Sequence, residues 1–192
     1  MPLTKTQVAM IEATGTPSSS NFLRGDGSWN SSITAMTAQN STSGTSIDFT
    51  GIPAGVKRIT VMFQGISTAT ASNPVLAFQL GTSSGITASG YLGAAASIVG
   101  AGAVNSVVNF SANFQFIQSS SAANISHGQI IFSNLSGNIW TVTGSLAQSD
   151  TNRVAWLTGS ITLGAVLDRV RMTTGGGTDA FDAGSINVLY EL

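Results

Sequence analysis

The chain has 192 residues and no cysteine, a single histidine and only four prolines. Without cysteine there is no disulfide framework, no thiol nucleophile and no thiolate ligand for a metal. Charge is the next scarcity. Charged residues make up 8% of the chain, against about 25% in ordinary soluble domains. Seven Lys and Arg face eight Asp and Glu, for a net charge of −1. No basic run exists. Arg153, Arg169 and Arg171 come nearest to a cluster, and Asp168 sits beside them. Nucleic-acid binding by phosphate neutralisation is therefore not expected. Long apolar runs are missing too. The stretch from Ala94 to Val108 is broken by Ser97, Gly100, Gly102, Asn105 and Ser106, and is too short and Gly-rich to span a bilayer. The opening Met1-Pro2-Leu3-Thr4-Lys5 lacks the basic start and apolar core of a signal peptide.

Ser, Thr, Asn and Gly stand in place of the missing charge. Such a surface is polar and nearly uncharged, which suits a particle surface or a repeated assembly. Residues 4–13 have the spacing of a short helix, stopped by Gly15 and Pro17. From Thr14 to Thr45 the chain is turn-rich, with isolated large apolar residues at Phe22, Leu23, Trp29, Ile33 and Met36. A disordered linker seldom carries such aromatics, so partner chains are expected to order this segment.

Beyond residue 45 the period is two. Ile59, Val61 and Phe63 share one face, Leu76, Phe78 and Leu80 another, and Ile186, Val188 and Tyr190 close the series. Similar runs cover 105–117, 127–133, 140–143, 154–163 and 169–172. Eight to ten short strands separated by Gly/Ser/Asn turns predict an all-β, antiparallel β-sandwich or jelly roll. The division expected is an N-terminal attachment segment over 1–44 and a β head over 45–192.

No set of residues fills the roles of nucleophile, base and orienter together, so no enzyme activity, metal or cofactor is expected. His127 lies at a strand start without identifiable partners, which fits a structural role. Asp179 and Asp182 flank a Gly-rich turn and read as turn residues rather than a hydrolytic pair. Gly175-Gly176-Gly177-Thr178-Asp179 lacks the Gly-Lys-Ser/Thr of a phosphate loop. Arg24-Gly25-Asp26 reads as part of a tight turn between Phe22 and Trp29. Trp140 and Trp156 lie in strands, where core or interface packing is the expectation. Tyr91, after Ser89-Gly90, reads as the exposed aromatic and as a candidate glycan contact.

Ala13–Trp29, ATGTPSSSNFLRGDGSW, resembles the segment that precedes a C-terminal β domain in bacteriophage tail-fibre and related virion fibre proteins. TDAFDAGSINVLYE, over 178–191, is similar to the terminal strand of the same proteins, and 46–60 and 80–91 are similar in style. The resemblance implies a homotrimeric virion fibre on a tail or capsid surface, with a globular tip that contacts the host. It would place Phe22, Leu23 and Trp29 in the joint between stem and head. The implied partners are two further copies of the chain, other virion proteins through the N-terminal segment, and a host surface polysaccharide. The alternative is a capsid-attached fibre or assembly joint that binds no ligand.

Overall fold

A computed structural model describes residues 14–18, 21–23, 25, 27–69, 75–116, 121–122 and 124–192, without the side chains of Asn30, Ala101 and 103–108. The helix expected over 4–13 lies outside the described residues. Within them the regular structure is β, apart from one 3-10 turn at Gly100–Gly102.

The N-terminal aromatics form a small motif of their own. β1 (Phe22–Leu23) pairs antiparallel with β2 (Trp29–Asn30), setting Leu23 opposite Trp29. Thr14 lies alongside: its N–H donates to Gly27 O and its carbonyl accepts from Trp29 N–H, both at 2.9 Å. Asn21 clips the intervening loop, donating from Nδ2 to Thr16 O at 2.8 Å and accepting from Ser18 N at 2.7 Å. Thr14 is thus tied to the hairpin by backbone hydrogen bonds, and Thr16 and Ser18 to Asn21 by its side-chain amide.

β3 (Ile33–Ala35) and β4 (Gln39–Asn40) follow. They were assigned in the sequence to the N-terminal segment, yet both pair with the last strand of the head. Ser41 is fully buried, its hydroxyl donating to Ala183 O at 2.8 Å and its backbone N–H to Gly184 O at 3.0 Å. The head therefore begins near residue 33 rather than 45. Its strands continue as β5 (Ser46–Thr50), β6 (Arg58–Thr68), β7 (Leu76–Thr82), β8 (Gly85–Ile86), β9 (Leu92–Val99) and β10 (Ala103–Asn109). Then come β11 (Phe114–Gln115), β12 (Ser126–Ser136), β13 (Ile139–Gln148), β14 (Arg153–Thr162), β15 (Leu167–Thr174) and β16 (Phe181–Glu191).

These strands build two large antiparallel sheets. Sheet I has the order β10-β9-β14-β13-β12-β6-β16-β3, with β4 also on β16; sheet II has the order β11-β7-β15-β5, with β8 on β7. The fold is all-β, with the two-sheet layering of a sandwich. The alternation seen in the sequence explains it. Ile59, Val61 and Phe63 point inward from sheet I, and Leu76, Phe78 and Leu80 from sheet II; all six are buried. Rings bridge the layers: Phe63 and Phe78 stand 5.6 Å apart between centroids, Phe114 and Phe132 6.0 Å. Side chains of this size each contribute about 1.5–3 kcal/mol on burial.

Two glycines make room for these rings. A Cβ on Gly144 of β13 would lie 2.9 Å from the tip of Phe116, and one on Gly159 of β14 would lie 2.1 Å from the Leu92 carbonyl oxygen. The close approach at those two points requires a residue without a side chain.

Candidate functional site

The outer faces of the two sheets differ in chemistry, and this difference locates the candidate site. On sheet II the outward positions are polar. Asp48, Arg171 and Gln79 form one cross-strand row over β5, β15 and β7, and Thr50, Arg169 and Gly81 the next. Arg171 donates from Nε and Nη2 to the two oxygens of Asp48 at 2.7 and 2.8 Å. That bidentate hydrogen bond, more than the Coulomb attraction, raises the Arg171 pKa above its ordinary value. Arg169 holds Asp168 at 2.7–2.8 Å. Gln79 Nε2 donates to Ala112 O at 3.1 Å, fixing the amide at the margin of the sheet.

Beside this row the face dips into a shallow depression. It is lined by Thr45, Ser46, Gln79, Asn113, Arg171 and the Gly175–Gly177 turn. The turn closes through Gly177 N–H to Thr174 O at 3.0 Å and is tied to the preceding loop by Gly175 N–H to Val75 O at 2.8 Å. The Thr173 hydroxyl donates to Thr45 O at 2.8 Å, holding the opposite wall. Hydroxyls, amides and a charge-balanced guanidinium converge here without net charge. Such groups serve as donors and acceptors for a neutral polyhydroxylated ligand. Among the described residues no three or more His, Asp or Glu gather as a metal site, and no helix is long and apolar enough to cross a membrane.

The residues singled out in the sequence fall as follows. Tyr91 is corrected: it is 1% exposed. Its hydroxyl donates to Thr87 O at 2.8 Å and accepts from Leu80 N–H at 3.0 Å. Its ring stands edge-on to Phe114 with centroids 4.7 Å apart. Burial of the ring, with backbone partners for the hydroxyl, leaves no platform for a sugar. Burial also pushes its pKa up to about 12, against a smaller lowering by the Leu80 hydrogen bond.

Phe22 is 47% exposed, while Leu23 and Trp29 are half-buried in the hairpin. The three are brought together on one two-stranded element. Arg24 and Asp26 lie outside the described residues. Trp140 is buried in the core, but Trp156 points outward from β14. His127 stands at the bulge between β12 and β6, its Nδ1 accepting from Gly65 N–H at 3.3 Å. Asp179 is buried, whereas Asp182 is exposed and accepts a hydrogen bond from the Ser67 hydroxyl.

Among the polar loops, Gly175–Asp182 borders the depression through its glycines. Gly81–Gly90 reaches the same sheet through β8. Most of Ala69–Pro74 and part of Ser119–Asn124 lie outside the described residues. Sequence reasoning missed Gln79, Asn113 and the Asp48–Arg171 pair. The available signal was the odd, charged positions of the alternating strands at 48 and 171, which only register brings together. No protein-family model, curated protein or solved structure matches the chain.

Proposed function

We propose that this protein is a structural component of a bacteriophage virion fibre, a homotrimer whose β head binds a host cell-surface glycan. The observation that carries the reading is the ATGTPSSSNFLRGDGSW segment immediately before a two-sheet β head. The β1–β2 pairing within it, with Phe22 half in solvent, supports a joint that neighbouring chains complete. The N-terminal segment would attach to other virion proteins, placing the head at the tail or capsid surface.

A jelly-roll reading of the head is supported by the path of the chain. It passes from β3 in sheet I to β5 in sheet II, back to β6, then to β7, and later from β11 to β12 and from β15 to β16. Alternation between two sheets in this order is the jelly-roll path. The hairpins β9–β10 and β13–β14 then extend sheet I beyond its first four strands.

The head acts by binding, without catalysis. The depression of sheet II offers a neutral set of hydrogen-bonding groups, which suits a sugar better than a polyanion. Labelled full-length protein should bind host cells saturably and lose that binding once surface polysaccharide is stripped. An absence of binding across candidate hosts, with stable attachment to capsids through residues 1–35, would instead identify a structural appendage. Release of oligosaccharides from capsule by homogeneous protein would overturn the non-enzymatic reading.

A further inference from the structure

The outer face of sheet I carries a different surface from that of sheet II. Across β13, β14 and β9, Ser145, Trp156 and Ala96 form one row, and Thr143, Thr158 and Ala94 the row beside it. Val154 and Ile98 extend the patch at one end and Leu92 at the other. Trp156 is 43% exposed, Val154 42% and Leu92 66%. A contiguous apolar patch of this kind on an antiparallel sheet marks an interaction surface. Toward β12, β6 and β16 the same rows continue through Ile131, Thr60 and Leu189, again without charge.

We propose that this face is where copies of the chain pack against one another, the occupant being a second copy of the chain, with each copy turning this face toward the shared axis of the oligomer. Charge argues for that partner. Charge is kept to the ends of this face: Arg58 and Glu191, next to Thr60 and Leu189, pair with each other at 2.6 Å, Asp182 at the start of β16 accepts from the Ser67 hydroxyl, and Asp48, Arg169 and Arg171 are on sheet II. Arg153, at the start of β14, points inward to Ser97 Oγ at 2.8 Å. His127 stands at the margin of the face, with its Nδ1 occupied by Gly65. A charged partner would bury its charges against a centre without counter-charge and an Arg58–Glu191 pair that is already satisfied, which is costly. The same face on a second copy brings no charge to that centre. Its threonine and serine hydroxyls both donate and accept, so they can pair with their own kind across the contact.

Area argues the same way. Six strands at about 4.8 Å spacing and seven residues at about 3.3 Å rise give a face of about 670 Å². Side-chain relief brings that near the roughly 800 Å² per partner of a standard interface. The inference rests on the reading that the protein works as an oligomer, and adds that the head, not only the N-terminal hairpin, holds the copies together.

The test is sedimentation equilibrium of the full chain from about 1 to 100 μM. Wild-type protein should self-associate. Thr158→Lys and Ala96→Glu each place a charge at the centre of the patch and should weaken association at least tenfold. Phe22→Ser/Leu23→Ser, in the hairpin, should weaken it less. Because the chain has no cysteine, Thr158→Cys carries a single polarity-sensitive label at a position that tolerates an exposed side chain. Its emission should shift to the red as dilution dissociates the assembly. Wild-type protein monomeric throughout this range would overturn both the oligomeric reading and the interface. Association lost with the hairpin variant, but unchanged by both patch charges and with a label that stays in solvent, would overturn the interface alone. Cell binding is read separately, so failure of the glycan reading remains distinct from either.

Discussion

At the scale of single residues, Tyr91 carries a linkage that can be measured. Burial raises its pKa from the ordinary 10.0 to about 12. The neutral phenol is the form that the core accepts, so its contribution is fully present below pH 10 and is lost as pH rises from 10 through 12. The shift corresponds to about 2–3 kcal/mol. Urea unfolding at pH 9 and at pH 12 should show a loss of that order, and Tyr91→Phe should remove that part of the alkaline dependence. At neutral pH, Tyr91→Phe should cost about 1–2 kcal/mol, because Leu80 N–H loses its acceptor. Gly159→Ala is expected to be more severe than an ordinary small-to-large change. Its Cβ meets backbone at 2.1 Å, and the neighbouring strand must move, costing about 1–3 kcal/mol or more; thermal melts of the purified variant check this. The sequence misplaced Tyr91 for an identifiable reason. A tyrosine after Ser-Gly has a polar end and no alternating neighbours, and its two hydroxyl partners come from backbone at Leu80 and Thr87, which no side-chain pattern encodes.

At the scale of elements, the strands with large apolar residues at every second position were legible. Ile59, Val61 and Phe63 mark β6, Ile186 and Val188 mark β16, and Val170 and Met172 mark β15. β9 was not legible, because LGAAASIV offers small residues on both faces and no contrast of polarity. The pairing order was hidden as well. Nothing local to Asp48 or Arg171 tells that β5 and β15 are neighbours 123 positions apart. This pair gives a prediction at the same scale. Its side chains are 32% and 36% exposed, so Arg171→Ala should cost no more than about 1 kcal/mol, or about 2–4 °C in Tm for a chain of this size. Binding of the labelled protein to host cells should fall far more than that. Unchanged cell binding in a folded Arg171→Ala protein would move the glycan site away from the sheet II depression.

For the whole molecule, the two sheets differ: sheet II presents a charge-balanced polar face, and sheet I a partly apolar face whose charges sit at its ends. Assembly through the latter should be nearly independent of salt. Raising sodium chloride from 50 mM to 1 M should leave the association constant unchanged or strengthen it, since the centre of the face carries no charge to screen and apolar contacts persist. A steep weakening with salt would point to charged contacts instead. The position of β16 has a further effect, on the timing of folding. It lies between β6 and β3 in sheet I, so β6 has only one of its two neighbours in that sheet until residues 181–191 leave the ribosome. At about 5–20 residues per second, the 113 positions that separate the end of β6 from the start of β16 take roughly 6–23 s to synthesise. Through that interval the nascent chain exposes an unpaired strand edge with Val61 and Phe63 on it. Translation speed and chaperone supply, rather than the stability of the finished head, would then govern how much of this protein is recovered in soluble form.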